Sequence, residues 1–146
     1  MAATSIPRYT VPMTVKENQE RLINDLLLIP DAQERLSIIV ARAKSSLLDT
    51  DRTDANLVKG CVSRVWLASS IKEDCCHFRY DADSPMVKGL VDLLCEVYEG
   101  GSPVEIVTEE PVIWERLGLL KVLSPTRLNG LAAVRQKIKA DALAAA

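Results

Sequence analysis

A single β-prone stretch in the middle of the chain most constrains the fold. Residues 62–71 and 75–80 are rich in β-branched and aromatic side chains, and Lys72, Glu73 and Asp74 between them have a turn composition. Two such runs on either side of a short polar turn predict an antiparallel β-hairpin. Its second strand runs into the segment Asp81-Ala82-Asp83.

Two helices are predicted before this hairpin. Thr14 and Glu17 have the spacing of a capping box, in which each side chain bonds a free backbone N–H of the other residue. A second helix can begin at Asp31, shortly after the first ends near Pro30. Their apolar stripes are Leu22, Ile23, Leu26 and Leu27, then Leu36, Ile39, Val40 and Ala43. The short connection predicts an antiparallel helix pair.

Three Ser-Pro pairs mark helix starts after the hairpin, because serine is a favoured N-cap and proline a favoured first helical residue. They are Ser84-Pro85, Ser102-Pro103 and Ser124-Pro125. A further helical element is expected at residues 113–117. Helices on both sides of one small antiparallel sheet predict an α+β fold rather than a βαβ alternation. We expect an irregular N-terminal arm at residues 1–13 and a single domain at 14–146.

The composition argues against several classes of partner. The 146-residue chain has a net charge of −2 and a pI of about 5.5, without the basic footprint of a duplex-binding surface. The first residues carry no apolar core of the length that a signal peptide needs, and no later segment reaches the length of a membrane span. We therefore expect a cytoplasmic protein with reduced cysteines and with neither nucleic acid nor membrane as partner.

Cys61 is the residue whose position asks for an explanation. It directly follows Gly60, where a polar loop meets the β-prone stretch. Glycine gives the backbone at that point unusual freedom, and a thiolate at a loop tip is a soft nucleophile that can carry a persulfide. Free cysteine is also among the most frequently buried residue types, so these features alone leave a packing role open.

Other chemistry for this cysteine has weaker support in the sequence. His77 is the only histidine, no CxxC motif is present, and Cys75 and Cys76 are adjacent, so a strand would point them to opposite faces. A metal site that combines Cys61 with one of that pair and an acid stays open, as does a Cys61–His77 dyad across the hairpin. The chain has no GxSxG motif and no glycine-rich phosphate loop, so we expect no bound cofactor.

Three sequence blocks, taken together, resemble a known family. GCVSRVW at residues 60–66, DADSPMVKGL at 81–90 and LGLLKVLSPTRLNGL at 117–131 resemble the blocks of the SufE family, the sulfur acceptors of cysteine desulfurases in iron–sulfur cluster assembly. The blocks stand in the family's order, and the resemblance covers roughly residues 15–139. One departure is visible. Many relatives carry histidine or glutamine-histidine just before the third block's LSP, whereas this chain has Lys121 and Val122 before Leu123.

The resemblance implies both a fold and a function. The fold would be SufE-like, related in architecture to iron–sulfur scaffold proteins. Cys61 would take persulfide sulfur from a pyridoxal-phosphate-dependent cysteine desulfurase, either SufS-like or CsdA-like, stimulate that enzyme, and relay the sulfur to a downstream Suf scaffold complex. Such a protein is a sulfur-transfer accessory that carries a covalent persulfide, needs no cofactor of its own, and turns over no small substrate alone.

The same blocks give the expected site residues. Those supporting Cys61 are Gly60, Ser63, Asp83, Lys88 and Arg127. We expect Asp83 and Arg127 to form a polar pair that steadies the Cys61 loop, although Asp83 could instead cap the helix that begins near Ser84. Lys88 could face the partner or be an ordinary solvated lysine.

The remaining cysteines and the resting state of Cys61 complete the sequence-based expectations. Cys75, Cys76 and Cys95 match no motif cysteine and are expected to be structural. Cys61 is expected to be sheltered, on a loop that opens when the partner docks. The alternative function is an iron–sulfur or metal scaffold that uses Cys61 with other cysteines. A coloured protein after anaerobic purification would favour that alternative.

Overall fold

The computed structural model describes residues 13–43 and 49–145, so nearly all of the predicted N-terminal arm lies outside it. It is an α+β structure, as predicted, with a two-stranded sheet between helices. Short 3₁₀ turns lie at Asp49–Asp51 and Leu119–Lys121. The main elements are α1 (Val15–Leu26), α2 (Ala32–Arg42), β1 (Val65–Lys72), β2 (Cys75–Ala82), α3 (Pro85–Tyr98), α4 (Pro103–Thr108), α5 (Ile113–Arg116) and α6 (Pro125–Ala145).

The predicted hairpin is confirmed. β1 and β2 are antiparallel, with Val65 opposite Ala82 at one end and Lys72 opposite Cys75 at the other. Glu73 and Asp74 form the turn with φ values of 53° and 65°, and a left-handed conformation at both positions is typical of the tight turns that match the twist of a hairpin. The first strand begins at Val65 rather than Val62, which is 86% exposed in the preceding loop.

A short segment before the Cys61 loop lies along the free edge of β1. The N–H of Val58 donates to the carbonyl of Val65 (2.8 Å), and the N–H of Leu67 donates to the carbonyl of Asn56 (2.8 Å). A single antiparallel bridge joins Leu57 to Trp66. Residues 59–64 therefore form a loop whose two ends are hydrogen-bonded to each other, and Cys61 lies within it.

Helix α3 is the centre of the core. Its residues are buried on more than one face, and β2, α1 and α2 all pack against it. At Gly89 an added Cβ would lie 2.6 Å from the Cα of Val40, so the α2 backbone approaches α3 too closely for any side chain there. Because α3 offers apolar surface on several sides, α1 and α2 pack chiefly on it. The predicted antiparallel pairing of α1 with α2 is therefore replaced by packing of both helices on α3.

The serine caps place the helices that follow the hairpin. The side chains of Ser84, Ser102 and Ser124 accept backbone hydrogen bonds from Val87, Glu105 and Arg127, and each Ser-Pro pair begins a helix as predicted. The start at Ser124 brings the first turns of α6 beside the Cys61 loop, while the rest of α6 packs on α4, α3 and β1. Within residues 13–43 and 49–145, no helix is long and apolar enough to cross a membrane.

Candidate functional site

The Cys61 loop turns sharply at Gly60. This glycine has a φ of 93°, in the left-handed region that side chains other than glycine rarely adopt. A Cβ placed there would lie 3.4 Å from the Cβ of Ala133 on α6, so the loop also passes close to that helix. The turn therefore explains why a glycine precedes the cysteine: it aims Cys61 at α6.

The thiol of Cys61 is half-buried against the backbone of α6. Its S–H donates a hydrogen bond to the carbonyl oxygen of Gly130, with Sγ 3.3 Å from that oxygen. An added Cβ at Gly130 would lie 3.6 Å from Sγ, which is ordinary contact distance. Because Gly130 has no side chain, the sulfur packs directly against the helix backbone, in space that a side chain larger than alanine at position 130 would fill.

A cavity of about 200 Å³ opens beside this sulfur. The loop, α3 and the start of α6 form its walls, and most of the side chains from the two helices are apolar. The lining residues are Cys61, Val62, Ser63, Val87, Leu90, Val91, Ser124, Thr126, Arg127, Gly130, Leu131 and Val134. The site thus has a nucleophile at the edge of an apolar hollow, with one cationic residue, Arg127, in the lining.

Burial determines the resting protonation state of Cys61. Partial removal from water disfavours the charged form, so burial raises the pKa of the Cys61 thiol above its ordinary value. The side chain is therefore a neutral thiol at neutral pH, which agrees with its S–H donating to Gly130. Because only the thiolate is a good nucleophile, the structure corresponds to a resting state rather than a reactive one.

Asp83 has a different partner from the one that the sequence suggested. Nε of Arg64 donates to its carboxylate (2.7 Å), and the N–H of Asp83 donates to the carbonyl of Arg64 (3.0 Å). The two residues come together because Val65 and Ala82, their neighbours, are paired in the hairpin. The predicted Asp83–Arg127 pair is therefore wrong. Asp83 does not cap α3 either, since Ser84 is the N-cap.

The other predicted site residues divide into two groups. Ser63 and Arg127 line the cavity beside Cys61. Lys88 does not line it: its Nζ lies 3.2 Å from a carboxylate oxygen of Asp81, so the side chain is held in an ion pair. The structure therefore brings Gly60, Ser63 and Arg127 close to the thiol. Asp83 and Lys88 lie outside the cavity lining, in ion pairs with Arg64 and Asp81.

Sequence reasoning missed Asp81 and Arg52. Asp81 is only 7% exposed and faces the same side of the hairpin as Trp66, its partner across the ladder. Burial alone would raise the pKa of this carboxyl, but hydrogen bonds from Arg52 and the adjacent ammonium of Lys88 outweigh that effect and hold the pKa below its usual range. The sequence did contain a signal for Asp81: an acidic residue at the end of a predicted strand, on the same face of the hairpin as Trp66.

Neither a Cys61–His77 dyad nor a metal cluster is formed by the residues that the structure covers. His77 is opposite Ser70 in the hairpin, roughly 17 Å along the strand from Val65, and its Nδ1 lies 2.6 Å from a carboxylate oxygen of Glu99. Over the described ranges, no three His, Cys, Asp or Glu side chains converge as metal ligands. Cys76 and Cys95 are buried, and Cys75 is half-buried on the opposite face of β2 from Cys76.

Comparison with known proteins agrees with this picture. The family model SufE, described as an Fe-S metabolism associated domain, matches residues 20–142. A SufE-like protein of Rhizobium etli is 30% identical over 84% of this chain and 88% of its own length, and one of Synechocystis is 29% identical over 90% and 84%. A hypothetical protein of Thermus thermophilus, solved in solution, has a similar fold with a TM-score of 0.71 at 20% identity, covering 88% of this chain and 95% of its own.

The family match covers most of the chain and includes the Cys61 loop, the hairpin, α3 and the start of α6. It therefore covers every element that forms the cavity beside the thiol. The chain belongs to the SufE family, the Fe–S metabolism associated domain, and its role lies in Fe–S metabolism.

Proposed function

We propose that this protein accepts persulfide sulfur on Cys61 from a pyridoxal-phosphate-dependent cysteine desulfurase, stimulates that enzyme by removing its sulfur, and passes the sulfur on to iron–sulfur cluster assembly. The observation that carries the proposal is the half-buried Cys61 thiol at the edge of a cavity of about 200 Å³. Cys61 is on a loop and only half-buried, so its sulfur can come within reach of a partner's persulfide, whereas Cys95 is buried within α3.

The transfer is a thiol–persulfide exchange. The Cys61 thiolate attacks the terminal sulfur of the desulfurase's cysteine persulfide, forming a new S–S bond as the old one breaks. The desulfurase cysteine leaves as a thiolate and can take up the proton that Cys61 lost. The terminal sulfur moves without net oxidation or reduction, so the step needs no external redox partner and no metal.

The geometry supports a division between a closed and an open state. In the closed state the thiol is hydrogen-bonded to Gly130, and burial raises its pKa, so premature reaction with other electrophiles is slow. Transfer requires the sulfur to leave that seat and ionise. Arg127 lines the same cavity, and its guanidinium would favour the charged thiolate once the loop moves. Docking of the desulfurase would supply the energy for this movement.

The alternative is an iron–sulfur or metal scaffold. Among the described residues no group of ligands surrounds Cys61, so a scaffold would need ligands from outside that part of the chain. The two functions differ in a simple observable. A scaffold purified without oxygen carries a visible cluster absorbance that depends on Cys61. A sulfur acceptor binds no cluster under the same conditions but gains mass from a desulfurase.

The proposal is tested by intact mass after the protein is mixed with a SufS-like desulfurase and free cysteine without reductant. We expect a gain of one sulfur atom on the wild-type protein, no gain on Cys61→Ser, and an unchanged gain on the matched variant Cys75→Ser, whose thiol is half-buried but lies away from the cavity. Desulfurase turnover should rise with the wild type and with Cys75→Ser only. A wild-type protein that gains no sulfur from an active SufS-like or CsdA-like enzyme would refute the acceptor function.

A further inference from the structure

Asp81 is a buried carboxylate at a place where packing alone does not require one. It is 7% exposed on the strand β2, and removing a carboxylate from water is costly unless cations and hydrogen-bond donors compensate. A buried carboxylate of this kind is expected where it holds other parts of the chain in place. The partners of Asp81 identify those parts.

The partners of Asp81 come from two separate parts of the chain. Arg52, in the segment that leads to Cys61, donates to one carboxylate oxygen from Nε (3.0 Å) and also from its terminal nitrogen. Lys88, on α3, forms an ion pair with the other oxygen at 3.2 Å. Helix α3 also supplies the cavity wall through Val87, Leu90 and Val91. Asp81 therefore ties the segment before Cys61 to the helix that faces its sulfur.

Arg52 also contacts the sheet on which that segment lies. Its guanidinium is 5.9 Å from the ring centre of Trp66, and a second arginine, Arg64 from the Cys61 loop, lies 5.4 Å from the same ring. Trp66 is the residue that bridges to Leu57 in the segment alongside β1. The cluster of Asp81, Arg52, Lys88 and Trp66, which we call the anchor, thus includes one partner of the bridge that sets the register of residues 56–58.

This register decides where Cys61 points. Side chains alternate along a paired strand, so a slip of one residue at Leu57 would turn the side chains of residues 56–58 to the opposite face and displace the start of the loop that carries Cys61. The loop between Val58 and Val65 is short, and its two ends are already hydrogen-bonded to each other. A shift of the segment would therefore carry Cys61 away from Gly130 and the cavity.

We propose that Asp81 is a positioning residue for Cys61: through Arg52 and Lys88 it fixes the segment before the loop against β1, and so holds the thiol at the cavity edge. The functional meaning of this role rests on the proposed sulfur acceptance. The positioning itself does not, because it is measured from the chemical reactivity of Cys61 without any desulfurase.

The test compares Asp81→Asn with Asp141→Asn. Asp141 is a matched control, since it also accepts hydrogen bonds from two elements, Ser69 on β1 and Lys137 on α6, but lies about 16 Å along α6 from Gly130. The measurement is the rate of iodoacetamide modification at Cys61, located by peptide mass, over pH 6 to 10. Circular dichroism checks that each variant is folded.

We expect Asp81→Asn to raise the modification rate of Cys61 at pH 8 about tenfold, because local opening becomes more frequent, and to move the pH midpoint down toward that of a free thiol. Asp141→Asn should leave both the rate and the midpoint at wild-type values. A general loss of stability would also raise the alkylation rate of the buried Cys95, whereas loss of positioning should change Cys61 alone. A folded Asp81→Asn protein with a wild-type rate and midpoint overturns the proposal.

Arg52→Lys serves if Asp81→Asn does not fold. It keeps the positive charge but loses the double contact with the carboxylate, so the alkylation rate of Cys61 should exceed that in Asp141→Asn, and a wild-type rate in folded Arg52→Lys overturns the proposal. Where Asp81→Asn does fold, a double-mutant cycle adds a second criterion: in an Arg52→Met background, Asp81→Asn should add little further reactivity. Full additivity of the two changes would mean that Asp81 does not act through Arg52, and would also overturn the proposal.

Discussion

Cys61 and Cys95 are both neutral thiols at least partly removed from water, yet they differ in how easily each can become exposed and react. Cys95 lies on α3, 4% exposed, and burial raises its pKa far above its ordinary value. Cys61 is half-buried in a loop and held by one hydrogen bond to Gly130. Exposing Cys95 requires opening the central helix, whereas exposing Cys61 requires only that a short loop move. Burial alone does not make a thiol inert; the cost of local opening does.

The largest effects should come from exchanging each sulfur for oxygen. Cys61→Ser is expected to abolish sulfur acceptance while changing stability little, because the side chain is only half-buried. Cys95→Ser should keep sulfur acceptance but lower the free energy of unfolding by about 1–3 kcal/mol, since it buries a hydroxyl in an apolar core. Intact mass and urea unfolding measure the two quantities. A Cys95→Ser protein that is stable but accepts no sulfur would reverse the comparison.

The rates of alkylation should differ next most. In the native protein, Cys95 is expected to react with iodoacetamide about 100-fold more slowly than Cys61, because its exposure needs a much larger opening. Cys61 itself should react with a pH midpoint above the value of about 8.5 for a free thiol, and urea should bring that midpoint down. Comparable rates at the two sites would show that the Cys61 loop and α3 open together.

The same pKa shift affects stability in alkaline solution. The folded pKa of Cys61 is raised, so the unfolded chain loses this proton first as pH rises. The contribution is therefore fully present below about pH 8.5 and declines as pH passes through the raised folded value. Cys61→Ser should show a shallower alkaline loss of stability than the wild type in urea unfolding. Equal pH slopes would contradict the shift.

A larger side chain at position 130, where the sulfur of Cys61 packs on α6, should have a moderate effect on the alkylation rate of Cys61. Gly130→Val is expected to raise the alkylation rate of Cys61 about tenfold, because overpacking of this kind costs about 1–3 kcal/mol and pushes the thiol from the helix. Gly130→Ala is the matched control, since its Cβ would lie at an ordinary 3.6 Å from Sγ. If both variants react like the wild type, the contact with Gly130 does not hold the loop closed.

The smallest effect should come from the exposed ion pair of the loop. Arg64 and Asp83 have side chains 68% and 48% exposed, so Asp83→Asn should change stability by less than about 1 kcal/mol and Cys61 alkylation by no more than about twofold. The buried Asp81 provides the contrast. A tenfold increase in Asp83→Asn would mean that the exposed pair, rather than the anchor, holds the loop.

Local chemistry made much of the fold predictable. The Thr14–Glu17 capping box, the Ser-Pro pairs and the hairpin depend on residues close in sequence, and all are present. The α1–α2 pairing failed because it depends on which helix offers the larger apolar surface, and α3 is apolar on several sides. The apolar surface of α3 can be recognised in the sequence, but which helices pack on it cannot.

The residues alone predicted the candidate site only within one motif, and the family resemblance added Arg127 from a separate block, which the structure places in the same cavity. The Gly60–Cys61 turn was clear from the residues themselves. The partner of Asp83 was not, because the pairing of Arg64 with Asp83 depends on the register that the two-residue turn at Glu73 and Asp74 sets, and the sequence predicted a turn of three residues. Arg52 was missed because nothing near it in the chain shows that it meets Asp81.

Peptide mapping of the wild-type protein identifies directly which cysteine receives the sulfur. After reaction with a cysteine desulfurase and free cysteine, the persulfide is trapped with an alkylating reagent and located among Cys61, Cys75, Cys76 and Cys95. We expect the added sulfur on Cys61, with the other three cysteines unmodified in the folded protein. Sulfur found mainly on Cys75 or Cys76, with Cys61 still a free thiol, would contradict it.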